Sequence, residues 1–298
     1  DTIFLERNSP SDVARNIAGG DGRDAITAQY AGDEFFAALS LTGGKAADTT
    51  AYAGEQRALL ARVSDLVYSD NDWRLLVGVN GTDVFSPPTA NTVGPAATHT
   101  IAFSTAPEIT VDDTAAKLIN TGAISADSVR QWGVETAVQW RSLYAQGGYF
   151  GYGIEMADGL PDPDFDGWYL QGTWIVTDER RGYSTANGAF TSPKPSVPFS
   201  LDGGGPGAWE LAVRYSDLDL NYNEGKAGSA APVGGVRGGE QKAWTAGLNW
   251  YPNSLVRFAL DYQHVDIDRL GSTAVPVVNN TEIGQTVNIF SLRSQVGF

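Results

Sequence analysis

Cysteine is absent from the 298 residues. That excludes a disulfide scaffold and thiolate metal sites, and it is compatible with an exported bacterial protein that folds without oxidation. Histidine is scarce: the chain has 2, His99 and His264, far apart in sequence. Without cysteine they form no recognisable metal or catalytic set, and no cofactor is expected. Basic residues are outnumbered, with 20 Lys plus Arg against 35 Asp plus Glu and a formal net charge of −15. That balance argues against nucleic acid as a partner, because such affinity has to come from phosphate contacts. No run of about 18 to 20 apolar residues occurs, so no transmembrane helix is encoded. No basic and then apolar signal peptide opens the chain either.

What is plentiful is glycine and aromatic residues: 35 Gly, 12 Phe, 12 Tyr and 8 Trp. That mixture fits strand-and-turn architecture. The last stretch, from Gly207, carries the clearest pattern. In GAWELAVRYSDLDLN, Trp209, Leu211, Val213 and Tyr215 share one face while Glu210, Ala212, Arg214 and Ser216 share the other. Such period-two alternation marks a strand. The apolar face begins and ends in aromatic rings and the opposite face carries charge, a combination expected of a membrane-spanning β-barrel.

In chain order, residues 1–21 show no sustained alternation and read as a loop, broken by Pro10, Gly19 and Gly20. Strands are predicted over 23–31 and 35–41, over 56–68 and 73–83 around the Ser69 to Asp72 turn, and over 129–141, 143–155 and 168–177. Four more follow to the C-terminus. Residues 84–126 form the longest excursion, with short ordered pieces at 101–103 and 115–119. Trp132 and Trp140 lie eight residues apart on one outward face, which at about 3.3 Å per residue and a tilt near 40° is roughly 20 Å along a membrane normal. Trp168, Trp209, Tyr215, Trp244 and Trp250 join them as candidate girdle residues.

The fold expected is therefore all-β, an antiparallel transmembrane barrel, with about eleven strands in this sequence. Tight turns then collect on one side and long loops on the other. The connection from Asp178 to Pro206 is the exception, expected against the barrel rim or in the lumen. An odd count leaves an edge unpaired, so further strands are expected ahead of Asp1. Residues 1–21 are assigned to the end of a luminal, constriction-type loop and 22–298 to barrel strands.

Three segments carry a family resemblance: GAWELAVRYSDLDLN, GGEQKAWTAGLNWYPNSLVRFALDYQHVDIDR and RGYSTANGAFTSPKPSVPF. Together they resemble the C-terminal part of the phosphate-selective porin O and P family. FLERNSPSD, at 4–12, is more weakly similar to the segment leaving that family's constriction loop. The resemblance implies a homotrimeric barrel of about sixteen strands in the bacterial outer membrane, surrounded by lipid and lipopolysaccharide and passing small anions such as phosphate by passive diffusion. Sixteen less eleven would leave five strands outside this sequence. Phe298, ending a strand that carries Phe290, Leu292 and Val296 on one face, resembles the signal read by the barrel assembly machinery.

By the phase of the alternation, Arg62, Arg74, Arg141, Arg214, Arg257 and Arg293 point inward, against Glu135, Glu210 and Asp261. Guanidinium rows of this kind attract oxyanions. The plainer alternative is bracing of the wall, Arg214 with Glu210 and Arg257 with Asp261. Lys194 matches a basic position of the family motif, and Arg180 and Arg181 flank it in the odd connection as rim or luminal contacts. Asp162, Asp164 and Asp166 spell the start of a calcium loop, but Thr173 stands where the bidentate Glu is needed. Glu135 and Glu210 are wall charges before they are a glycosidase pair. Two functions from different classes stay open: a passive anion porin, and a non-conducting barrel with a structural or adhesive surface role. A soluble secreted β-protein is the third.

Overall fold

The computed structural model describes residues 3–20, 22–45, 55–89, 99–109, 117–271 and 282–297. One helix, α1 (Ser9–Ile17), precedes the strands. In chain order these are β1 (Arg23–Ala31), β2 (Phe35–Lys45), β3 (Arg57–Ser69), β4 (Trp73–Ser86), β5 (Thr100–Ile101), β6 (Ser104–Thr105), β7 (Ile119–Asn120), β8 (Ile124–Trp140), β9 (Leu143–Met156), β10 (Asp164–Ile175), β11 (Arg181–Ser184), β12 (Ala189–Pro193), β13 (Ala208–Tyr222), β14 (Val236–Tyr251), β15 (Val256–Leu270) and β16 (Glu282–Val296).

The count of about eleven strands is corrected to 16 among the described residues. The extra ones are the short strands β5, β6, β7, β11 and β12, too brief for alternation to reveal. A 12-stranded antiparallel sheet runs β1-β2-β3-β4-β8-β9-β10-β13-β14-β15-β16, with β5 paired to β8. The β6–β7 and β11–β12 pairs stand apart as two-stranded sheets. Among the described residues β1 and β16 are the ends of this path, and no pairing closes it into a barrel.

Residues 1–21 are not all loop. Asn8 accepts the Ser11 amide at 2.9 Å as an N-cap, Pro10 sits in the first turn where its missing N–H costs nothing, and Val13 and Ile17 are buried on one side of α1. Sequence reasoning gave weight to Pro10 as a breaker, although Pro at a helix start favours the helix.

The alternation sorts the sheet into two faces. Along β13, Leu211 and Val213 are exposed while Glu210, Ala212, Arg214 and Ser216 are buried. The buried, inward face is the one on which the inserted segments lie. Past Tyr215 the chemistry of the two faces inverts: Asp217 and Asp219 turn outward, and Leu218 and Leu220 are fully buried inward. β15 repeats this, with Phe258, Leu260 and Tyr262 outward, then Asp266 outward and Val265 and Ile267 buried. The strands therefore have a segment that is greasy outside and polar inside, followed by one built like a water-soluble β-sheet.

Three inserts fill the inward face. Ile3 and Phe4 pack with Leu66, Leu76, Ala137, Tyr144 and Ala212 near the tight-turn end. Val13 and Ile17 of α1 share a second core with Phe103, Ile119, Tyr152, Leu218 and Val265 towards the long-loop end. The connection from Asp178 to Pro206 folds β11–β12 back inside, its Phe190 ring 5.1 Å from Tyr144. A buried Leu, Ile or Phe side chain contributes roughly 1.5–3 kcal/mol, so these cores hold the inserts firmly.

Candidate functional site

The inward face of β13 to β16 grips the backbone of residues 3–6. Arg293 donates to the Leu5 carbonyl at 2.9 Å and Arg214 to the Glu6 carbonyl at 3.0 Å. Arg257 donates to the Ile3 carbonyl, and Asn249 reaches the same oxygen at 3.0 Å. Asp261 answers by accepting the Leu5 amide at 2.7 Å. Gly247 makes room for this approach, since a Cβ there would stand 3.1 Å from the Phe4 ring. Above that ring lies the Arg214 guanidinium, 4.5 Å from its centroid.

One ion pair differs from what the sequence suggested. Arg214 pairs with Glu108, not Glu210. Glu108 is 2% exposed and also accepts from the Ser9 amide and the Ser216 hydroxyl. Glu210, 0% exposed, pairs with Arg181 and accepts from Asn249 and the Tyr251 hydroxyl. Arg62 pairs with Glu135 at 2.7 Å and donates to the carbonyls of Asn187 and Gly188 at the tip of β11–β12. Arg74 reaches the Arg181 carbonyl. Burying charges is costly, and each of these pairs is backed by further hydrogen bonds as that requires.

Arg141 is the inward candidate that must be moved. It occupies the turn after β8 with φ 51°, is exposed, and pairs with Asp72 at 3.1 Å. Arg180 donates to the Asn71 carbonyl near the same turns, Arg181 is buried, and Lys194 is exposed beside a cavity of about 470 Å³ that Arg257 also lines. Phe298 lies outside the described residues. Asp162 is used to accept the Met156 amide at 2.8 Å.

The candidate girdle residues form ring contacts across strands. Near the tight turns Trp73 stacks on Trp140 at 5.6 Å and Trp209 on Trp250 at 5.4 Å. Further along the strands Trp132 meets Tyr149 at 5.5 Å, Trp168 meets Tyr215 at 5.2 Å and Tyr215 meets Trp244 at 4.7 Å.

Sequence reasoning missed Glu108 and the backbone carbonyls of residues 3–6, because none sits on an alternating strand. The one available signal was the helix-start grouping Asn8-Ser9-Pro10 with Asp12 in the first turn.

An uncharacterized protein of Caulobacter vibrioides is 32% identical over 182 residues, which cover 61% of this chain and 33% of that protein. The chain thus spans about a third of the length of that curated relative. OmpT, an outer membrane protein of Vibrio cholerae folded in vitro, superposes with a TM-score of 0.50 at 14% identity, over 99% of this chain and 70% of that one. Its likeness speaks for the fold. A trimer form of the same protein matches with a TM-score of 0.45 at 13% identity, over 98% and 75%. The model of the family described as phosphate-selective porin O and P matches residues 1–298, the whole chain and not its C-terminal part alone. With that match on a sheet of this architecture, the chain belongs to the phosphate-selective porin O and P family and to the bacterial outer membrane.

Proposed function

We propose that this chain forms the wall and inner segment of an outer-membrane porin that lets small hydrophilic solutes diffuse passively, with a preference for anions such as phosphate. No chemical step belongs to this reading. The observation that carries it is the two-faced sheet in a chain of this family: apolar and aromatic residues outward, and Arg62, Arg74, Arg214, Arg257 and Arg293 inward against Glu135, Glu210 and Asp261. A guanidinium stays charged at any physiological pH and offers several donors to an oxyanion. The aromatic rows are read as girdles at the two membrane surfaces. Their separation of six to eight residues, as in Trp244 to Trp250 and Trp132 to Trp140, is roughly 15–20 Å along the normal. Residues 3–20 are read as part of a constriction, and the assembly as a homotrimer inserted by the barrel assembly machinery among lipid and lipopolysaccharide. Conduction through a closed barrel requires the β1 and β16 edges to be joined, directly or through further strands.

The two apolar cores on the inward face favour a second reading, a non-conducting barrel with a structural or adhesive surface role. Single-channel recording of the intact protein in planar bilayers, in chloride, phosphate and potassium salts, separates the two. Absence of conductance sinks the porin reading; cation preference sinks the anion claim alone.

A further inference from the structure

We propose that residues 197–201, in the connection from Asp178 to Pro206, form a membrane anchor that dips into the lipid leaflet at the tight-turn end of the sheet. The anchor rests on the chain's place in the outer membrane and stands whether or not the protein conducts.

The connection has two parts with opposite destinations. Its first part, β11–β12, is docked on the inward face, and Ser196 closes it by giving its amide to Glu179 at 3.0 Å. The second part leaves the interior. The Phe199 amide donates to the Pro252 carbonyl of the β14–β15 turn at 2.7 Å, and the Phe199 ring stands edge-on to Trp250 at 5.2 Å. Trp250 stacks in turn on Trp209 and on Phe258, its cross-strand neighbours on the outward face. Phe199 thus lengthens an outward row of rings by one. The Pro206 carbonyl accepts from both indoles, Trp250 at 2.9 Å and Trp209 at 3.2 Å, so the segment is fastened to that row at each end.

Between these fastenings no charged residue stands from Lys194 to Asp202, and the chain reads Val197-Pro198-Phe199-Ser200-Leu201. All three large apolar side chains are exposed, Leu201 at 90%. A lone exposed leucine needs no explanation, but three apolar residues at alternate positions, continuous with a row of aromatic rings, mark a contact surface. The turn that carries them is built. Gly205 donates its amide to the Pro198 carbonyl at 3.1 Å, Phe199 and Gly205 form a bridge, and the Ser200 hydroxyl accepts the Asp202 amide at 3.2 Å. Holding the tip out therefore costs little further ordering when it meets a partner. Lipid is the occupant that fits, because the adjoining rings belong to the outward face of an outer-membrane sheet. Their N–H groups turn to a backbone carbonyl while their bodies stay apolar, the arrangement that suits tryptophan to a membrane–water interface.

The lack of native cysteine allows one label at a time. In the intact protein in phospholipid nanodiscs, a nitrobenzoxadiazole label on Leu201→Cys, and separately on Val197→Cys, should emit at shorter wavelength than the same label on Ala227→Cys, an exposed residue of the β13–β14 connection. The labels at 197 and 201 should lose most of their emission to a lipid carrying a nitroxide high on its acyl chain, and little to aqueous iodide; the label at 227 should show the reverse. Quenching at 197 and 201 by iodide and not by the nitroxide lipid overturns the proposal. Shielding from both quenchers also overturns it, since a second copy of the chain would then cover the tip. No current is read, so a wild type that does not conduct sinks the porin reading and leaves this result untouched.

Discussion

Arg214 and Glu108 meet where a membrane protein can least tolerate an error, with side-chain exposures of 2% and 0%. Removing one partner leaves the other charged and buried. Arg214→Met is expected to cost about 3–5 kcal/mol in denaturant unfolding of the detergent-solubilised protein. Adding Glu108→Gln should recover most of that loss, since the uncompensated carboxylate is gone; equal losses in the single and double variants would mean the pair carries no coupling. Alternation made the inward position of Arg214 legible because it depends on neighbours two residues away. Its partner was not legible, because Glu108 arrives from a segment 106 residues distant on a turn with φ 50°.

Asp70 makes a prediction about pH. Its carboxylate accepts from the Tyr68 hydroxyl at 2.6 Å and from the amides of Trp73 and Asp72, and these bonds hold it below the ordinary carboxylate range. A folded-state value lower than the unfolded one stabilises the turn above the unfolded carboxylate pKa, and the contribution is lost as pH falls through the folded value. Amide exchange at Trp73, corrected for intrinsic rates, should therefore stay slow at neutral pH and accelerate in acid. Asp70→Asn should show no such step.

Among the elements, β11–β12 depends on a single residue. Gly188 has φ 54°, and a Cβ there would stand 2.4 Å from the Ser64 hydroxyl and 2.5 Å from Phe36. The tip fits only because glycine adopts this conformation without a side chain. Gly188→Val should push the hairpin off the inward face, read as new protease cleavage between Arg181 and Lys194 and as altered open-channel current; a protected hairpin would mean that it docks through Phe190 alone. This element also shows what the sequence could express. The long strands were legible because one face is repeatedly apolar over 9 to 17 residues. The inserts were opaque because they are short: α1 buries only Val13 and Ile17 as apolar residues beyond its first turn, and β11 and β12 have 4 and 5 residues, too few for a period to show.

At the scale of the molecule, the distribution of tryptophan is the most testable feature. All 8 lie on outward positions of the sheet, Trp209 and Trp250 half-buried and the others from 40% exposed at Trp168 to 59% at Trp244. In bilayers containing lipids brominated near the headgroup, most of the tryptophan emission should be quenched; emission indifferent to bromolipid would contradict contact of this face with lipid. The inversion of chemistry beyond Tyr215 sets the upper limit of that contact. Asp217, Asp219, Glu240, Asp266 and Asp268 all follow it on the outward side, where hydrocarbon would be intolerable.

The grip on residues 3–6 finally imposes an order in time. The Leu5 amide finds Asp261 across 256 residues and the Leu5 carbonyl finds Arg293 across 288. Neither bond has a partner until β15 and β16 have been made and paired, and contacts this distant in sequence are late and slow to form. The inner segment therefore docks late, onto strands already paired, and until it does the inward face of the sheet stands open.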